Sequence, residues 1–317
     1  MINILITGGS GFIGSHITER LLTRGNRILV IDNYATGRRD NLQPDANLKV
    51  VAGTIADADF VNRTFDEFKP EFVVHAAASY KDPHAWAEDT RTNTVGTANV
   101  VQAAERLQVR RLIYFQTALC YGLHPLEQPI TLSHPIRPDN SSYAISKTAG
   151  EQYIALSKLD FISFRLANII GPRNLSGPLA TFYQRLTSQK PCFVMDTRRD
   201  FVFVEDLVEV VIKALDGRGQ RGAYHVSSNG DYAIKELFDL TMKTLGITLE
   251  REVEIRPRGV DDAFTILLDA SKTYEDFDWT AATSLETAAR RAIEWYKANG
   301  VTQAYTHLKL GQAEAKA

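Results

Sequence analysis

"LITGGSGFIGSH", residues 5–16, decides how the rest of the chain is read. It ends the apolar run "INILIT" (2–7) in a glycine-rich turn and opens the helix-period stretch "SHITERLLTRG" (15–25). Gly9, Gly11 and Gly14 meet the G-x-G-x-x-G spacing, and Gly8, Gly11 and Gly14 meet a looser one. Residues without a Cβ permit a tight turn and let a pyrophosphate approach the backbone N–H groups at a helix start. Glycines are also common in βα turns that bind nothing, so the context carries the reading. Here a strand precedes, a helix follows, and Asp32 ends the next apolar run, "RILVID" (27–32), 18 residues past Gly14. Such a carboxylate accepts both adenosine ribose hydroxyls and repels a 2′-phosphate. The combination predicts a dinucleotide site that prefers NAD, with Arg38 and Arg39 keeping NADP open as the lesser alternative.

Working outward, the same rhythm repeats. "LKVVAG" (48–53), "EFVVHAA" (71–77), "RRLIYFQT" (110–117) and "DFISFRLAN" (160–168) read as strands, and helix-period segments lie between them. Apolar runs that do not alternate with polar residues suit strands covered on both faces, as in a parallel sheet. The prediction is an α/β protein with a doubly wound parallel sheet of the Rossmann type over residues 1–170. A smaller mixed substrate domain follows over 171–317, with part of 200–225 returning to the first domain. The last residues, "GQAEAKA" (311–317), read as a loose tail.

Composition narrows the function. The chain has 317 residues, 44% hydrophobic and 23% charged, with a formal net charge of −2. No global basic field favours nucleic acid or an anionic membrane. No window has the uninterrupted apolar length of a membrane span. "MINILITGG" lacks a basic leader and a small-residue cleavage site and reads as a strand. Two cysteines, Cys120 and Cys192, make neither a disulfide framework nor a metal cluster. The expectation is a cytoplasmic protein with no bound metal.

"NSSYAISKTAGEQYI" (140–154) sets Tyr143 and Lys147 four residues apart, on one helix face. A neighbouring ammonium favours the phenolate, and a phenol so tuned can act as a general base near neutral pH. Alone, Tyr-x-x-x-Lys is more often a solvated helix face. It gains weight beside the glycine loop, Asp32, and the strand-end hydroxyl of "FQTALCYG" (115–122).

Taken together, "TGGSGFIGSH", "IDNYATG", "VVHAAA", "TNTVGTANVVQAA", "TALCYG", "YAISK", "RLANIIGPR", "RDFVFVEDLV" and "DASKTYEDFDW" resemble an extended short-chain dehydrogenase/reductase of the nucleotide-sugar epimerase/dehydratase type. "AASYKDP" and "SGPLATFYQRL" are most similar to its O-antigen sugar epimerases. The resemblance implies that Thr117, four positions before the Tyr of "YG", joins Tyr143 and Lys147 in a catalytic triad. It places Gly8, Gly11, Phe12 and Ile13 at the pyrophosphate, Asp32 and Asn33 at the adenosine ribose, and Ile55 beside the adenine. Ala76 and Ala77 line the cofactor, with Asn93 on the helix behind. For His75 a plain strand-end role stands beside a direct one. Asn168 falls between nicotinamide and sugar, and Leu179 falls in the substrate lobe. Arg199 would clamp the diphosphate, where a bidentate fork suits phosphate oxygens. Arg258 (or Arg256) with Asp262 would complete the nucleotide grip, against the alternative of a solvated loop.

Departures from the family narrow the chemistry. Its dehydratases carry Asp-Glu directly after the catalytic Thr, where this chain has Ala118 and Leu119, and its decarboxylases place a Glu nearby. Thr54 stands where an acid often follows Gly53, and Tyr80 stands where the galactose-type epimerases have Lys, with Lys81 one step along. The implied activity is NAD-dependent epimerisation of a nucleotide-linked, UDP-type hexose, N-acetylhexosamine or uronic acid at C4, through a 4-keto intermediate. The alternatives are a dehydrogenase or reductase with exchangeable NAD(P), or a non-catalytic NAD-binding sensor. Helices around 90–107 and 143–158 imply a homodimer by the same resemblance. Tyr121 and Cys120 read as packed residues without chemistry.

Overall fold

The computed structural model describes residues 1–80, 82–139, 141–259, 262–301 and 304–305. Lys81 and the tail at 311–317 therefore lie outside the described residues. Seven parallel strands form the central sheet. They are β1 (Asn3–Thr7), β2 (Arg27–Asp32), β3 (Leu48–Ala52), β4 (Phe72–His75), β5 (Arg111–Thr117), β6 (Phe161–Leu166) and, last in sequence, β11 (Gly222–Val226). Their order is β3-β2-β1-β4-β5-β6-β11, so the winding reverses between β1 and β4. Ligands of such sheets bind in the crevice beyond the strand C-termini at that reversal.

The apolar runs explain the layers. Ile4, Ile6, Ile28, Val30 and Val74 pack one face against α1 (Phe12–Thr23) and the later α7 (Val204–Leu215). Leu5, Leu29, Ile31, Val73 and Leu112 pack the other against α2 (Ala58–Phe68), α4 (Thr97–Arg106) and α5 (Ser142–Leu156). Burying such a side chain contributes about 1.5–3 kcal/mol, which fixes the strand register. Between the one-turn helix α3 (Trp86–Asp89) and α4, residues Thr90–Gly96 widen into a π-helical segment.

"DFISFRLAN" does not stay in one strand. After Leu166 the Ala167 amide donates to Val226 and the Asn168 amide to Asp200, so β7 (Asn168–Ile170) leaves the sheet. It pairs in parallel with β10 (Phe201–Phe203). The short β8 (Phe193–Met195) and β9 (Arg198–Arg199) lie between them in sequence and pair with β13 (Glu254–Arg256) and β12 (Tyr232–Ala233) respectively. A second apolar cluster gathers α6 (Pro178–Thr187), α8 (Ile234–Leu245) and α10 (Leu285–Asn299) through Leu179, Phe182, Phe238, Ile293 and Tyr296. The remaining helix, α9 (Ser271–Phe277), returns Phe277 to the core of the main sheet. No helix among the described residues is long and apolar enough to cross a membrane.

Candidate active site

A cavity of about 1210 Å³ runs along the strand C-termini between the sheet and the second lobe. Gly8, Gly11, Phe12, Ile13, Asp32, Asn33, Ile55, Ala76 and Ala77 line one part of it. Thr117, Tyr143, Lys147, Asn168, Leu179, Arg199 and Asp262 line the rest.

At the first part, a Cβ on Gly14 would meet the Gly8 carbonyl oxygen at 2.2 Å, and one on Gly8 would meet Ala77 backbone at 2.7 Å. The loop is thus closed tightly upon itself and upon the β4 exit. Gly11 starts α1 with no side-chain cap, leaving the first amides of the helix for a ligand. The Asp32 carboxylate accepts the amides of Ser10 at 2.9 Å and Tyr34 at 2.8 Å. Burial raises its pKa, and those two amides act against the rise. A glycine cradle, free helix-start amides and a wall carboxylate fit an NAD pyrophosphate and adenosine ribose.

At the other part, β5 ends in Thr117, whose Oγ1 accepts the Leu119 amide at 3.2 Å and so caps a short turn over Ala118–Tyr121. Ala118 and Leu119 both face the cavity and bring no ionisable group to it. Ser141 caps α5 by accepting the Ala144 amide at 3.2 Å, and the helix presents Tyr143 and Lys147 one turn apart. Tyr143 is half-buried at the cavity wall, and burial, then Tyr80 and Asp89, push its phenol pKa up. Lys147 is buried, and desolvation lowers its pKa to about 7, with Glu151 acting in the opposite direction.

Three of the named residues do not line the cavity. Asn93 is behind the wall: it receives the Ser79 amide at 2.8 Å and donates to Ser79 O at 2.9 Å and Ser146 Oγ at 3.0 Å. It therefore sets the loop after β4 against α5. Arg258 is exposed and off the cavity wall, 3.5 Å from the Asp262 carbonyl. Arg256 stacks over Phe193 at 3.8 Å and pairs with Glu254 at 3.0 Å. Arg199 pairs with Asp262 and donates to the Ala263 carbonyl at 3.0 Å. Oδ2 of Asp262 is buried with no hydrogen-bond partner among the described residues, and the residue itself lines the cavity. Arg185, unremarked in the sequence, also lines the cavity; its signal was only a cation inside "ATFYQRL".

His75 is fully buried between Thr7 Oγ1 at 2.6 Å and Thr97 Oγ1 at 2.9 Å. Thr97 gives its own proton to Asn93 O and so accepts from Nε2–H, leaving Nδ1 to accept from Thr7. Burial and the Lys147 charge hold its pKa down at about 3. It is a neutral staple between β1, β4 and α4, and it does not line the cavity. Cys120 is buried and its thiol is pushed up to about 12.

Fold and site together define an NAD-dependent enzyme with room for a second ligand beside the dinucleotide crevice, where Tyr143 and Lys147 line the wall. The chain belongs to the NAD dependent epimerase/dehydratase family, whose pattern matches residues 4–227, as the motifs implied. It is 52% identical to the Bordetella bronchiseptica enzyme WbmH in complex with NAD+ (TM-score 0.92, 95% of this chain and 100% of that one). It is 45% identical to WbmG of the same organism in complex with NAD and UDP (TM-score 0.90, 97% and 99%). Among curated relatives, a UDP-glucose 4-epimerase of Mycolicibacterium smegmatis is 30% identical over 92% of this chain and 98% of its own length.

Proposed function

We propose that the protein is an NAD-dependent nucleotide-sugar epimerase of the extended short-chain dehydrogenase/reductase type, acting at C4 of a UDP-linked hexose, N-acetylhexosamine or uronic acid. The observation that carries this reading is the wall around Thr117, Tyr143 and Lys147. It holds a complete proton-handling set, while Ala118 and Leu119 supply no carboxylate for elimination. Relatives named as UDP-glucose 4-epimerases and a neighbour solved with UDP support the substrate class.

When bound, NAD would supply the hydride chemistry at the sugar carbon, and this chain's residues would do the rest. Tyr143 takes the proton of the reacting hydroxyl and gives it back to the product. Thr117 hydrogen-bonds the same oxygen while it is a carbonyl. Lys147 holds positive charge beside the phenol and favours its ionised form. Asn168, Leu179, Arg199 and Asp262 form the nucleotide-sugar side, and Arg258 joins them only through its 3.5 Å approach to the Asp262 carbonyl. Gly8, Gly11, Phe12, Ile13, Asp32, Asn33, Ile55, Ala76 and Ala77 hold the cofactor, with Asn93 behind them.

Val95, Ile145, Tyr153 and Leu156 form an exposed apolar strip on the π segment and α5. It supports a homodimer through these helices, for which light scattering should return twice the 35.4 kDa chain mass. Unpaired Cys120 and Cys192 support a cytoplasmic location.

The deciding experiment incubates the purified protein with UDP-hexoses, UDP-N-acetylhexosamines and UDP-uronic acids, with no NAD added. Proton NMR should show one of them converting to its C4 epimer. Stoichiometric reduction of supplied NAD(P), with no epimer formed, would instead make the protein a dehydrogenase.

A further inference from the structure

We propose that Glu151 is a positioning residue for the catalytic set: one buried carboxylate that fixes the Thr117 strand end through Gln116 and supplies the counter-charge for Lys147. The inference rests on the epimerase reading only for the part of its test that reads activity.

Tyr143, Lys147 and Glu151 follow at intervals of four on α5, so Glu151 stands one turn beneath Lys147 and two beneath Tyr143. Its side chain is 8% exposed. Oε1 accepts Ser163 Oγ at 2.5 Å and Arg165 Nε at 3.2 Å; Oε2 accepts Arg165 Nη2 at 3.0 Å and, by a longer contact, Gln116 Nε2 at 3.5 Å. Gln116 in turn accepts the Thr117 amide on Oε1 at 2.8 Å. A carboxylate on the Tyr–Lys helix is thus tied to the backbone of the residue that carries the third catalytic group.

Arg165 also donates to the Tyr121 hydroxyl at 2.6 Å, which lies 2.6 Å from His225 Nε2. His225 Nδ1 stands 2.8 Å from the Asp269 carbonyl, an acceptor, so Nδ1 carries the proton and Nε2 receives the Tyr121 hydroxyl. The chain ends there on a neutral histidine. Its fixed charges are therefore those of Glu151 and Arg165.

The groups around Lys147 come from every packed element. Tyr143 and Glu151 share its helix, the Tyr114 ring of β5 lies 3.9 Å from Nζ, and neutral His75 of β4 is near enough to feel its charge. Tyr80 and Asp89 face Tyr143 from the other side. Glu151 is the anion nearest Lys147 along the helix, and it favours the ammonium more than it disfavours the phenolate, which is a turn farther away. Glu151 thereby shifts the balance toward the lysine-cation, tyrosine-anion form. Because the two groups titrate as a pair, removing the anion lowers both apparent pKa values, and removing Arg165 raises both.

The test uses the NAD-loaded protein and two variants of opposite charge effect, Glu151→Gln and Arg165→Met. Nitrogen NMR of labelled lysine, with Lys147 assigned through Lys147→Met, reads the ammonium without any substrate. Its midpoint should fall by about one pH unit in Glu151→Gln and rise by a similar amount in Arg165→Met. Glu151→Asp, which keeps the charge, should return it toward the parent value. With a sugar substrate, the pH–kcat profile should move the same way, and kcat at the optimum should drop about tenfold in Glu151→Gln. A merely structural role predicts lower stability in all variants with an unmoved midpoint, and that result overturns the proposal, as does failure of both charge variants to fold. If only one folds, its direction of shift decides. Absence of epimerase activity with the midpoints shifted as stated would refute the function and leave this inference standing.

Discussion

Lys147 and Tyr114 hold each other at both ends. The Lys147 ammonium lies 3.9 Å from the centre of the Tyr114 ring, and the Tyr114 hydroxyl donates to the Lys147 carbonyl at 2.9 Å. One residue of the sheet thereby sets both the height of α5 above β5 and the position of the lysine charge. The ring face partly replaces the water that burial removes, a contact of about 2 kcal/mol for a desolvated cation.

The two bonds separate by mutation. Tyr114→Phe keeps the ring and loses the hydroxyl, so stability should drop by about 1 kcal/mol while kcat stays within about twofold. Tyr114→Leu removes the face that steadies the ammonium, and kcat should drop about tenfold as well. Urea unfolding and initial rates on the same preparations distinguish them. Equal losses of kcat in both variants would show that the ring face contributes nothing.

Tyr143→Phe removes the proposed proton carrier and little else, because Tyr143 lines the cavity and belongs to none of the core clusters. Turnover should decline by about 10²–10⁴-fold, the range a positioned acid–base group contributes. The unfolding midpoint and the NAD retained through purification should match the parent. A variant with near-parental turnover would transfer the proton step to another residue.

Much of this site was legible because its signals are local. A strand, the glycines at 8–14 and Asp32 announce the nucleotide crevice in one stretch, and Tyr143 and Lys147 share one helix face. Contacts made by folding were not legible. Glu151, Arg165, Tyr121 and His225 come from four separate elements, and none looks unusual in its own window. His75 was ambiguous for the same reason, since Thr7 and Thr97 lie far from it in sequence. "DFISFRLAN" read as one strand because its composition is uniform, whereas the split after Leu166 depends on partners supplied by Asp200 and Val226. Family spacing pointed to Arg258, but the loop geometry puts Arg185 of α6 on the cavity wall.

Gly14 offers a cleaner probe of the nucleotide crevice than any side chain. A Cβ there meets the Gly8 carbonyl at 2.2 Å and Gly9 Cα at 2.8 Å, both backbone, so no rotamer relieves it. Gly14→Ala should cost about 1–3 kcal/mol of stability and weaken NAD binding at least about tenfold, or ~1.4 kcal/mol, by displacing the turn. Gly25→Ala is the control: its φ of +76° strains an alanine, but nothing lies within 4 Å of the new methyl. It should lose stability while retaining NAD. The measurement is nucleotide released per chain on heating, beside the melting temperature. Equal NAD loss in both would trace the effect to general unfolding.

Acid should destabilise the fold through its buried histidines. Burial lowers the pKa of His75 from 6.5 to about 3 and that of His225 from 6.5 to about 4. Between those values the unfolded chain binds the proton that the folded chain refuses. Stability therefore rises with pH across the window and is lost as pH falls below 6.5. Each histidine contributes a loss of about 1.4 kcal/mol per pH unit there, or roughly 2 kcal/mol between pH 6.5 and 4.5 once the onset near 6.5 is allowed for. Carboxylates add their own slopes, so the difference between parent and variant isolates one histidine. His225→Gln keeps a donor for the Asp269 carbonyl and an acceptor for Tyr121 but cannot titrate. Its urea midpoint should start lower at pH 7 and fall less steeply toward pH 4.5, narrowing the gap by about 2 kcal/mol. Parallel curves for parent and variant would mean that His225 takes up its proton without unfolding, through the Tyr121–Arg165 contacts rather than against them.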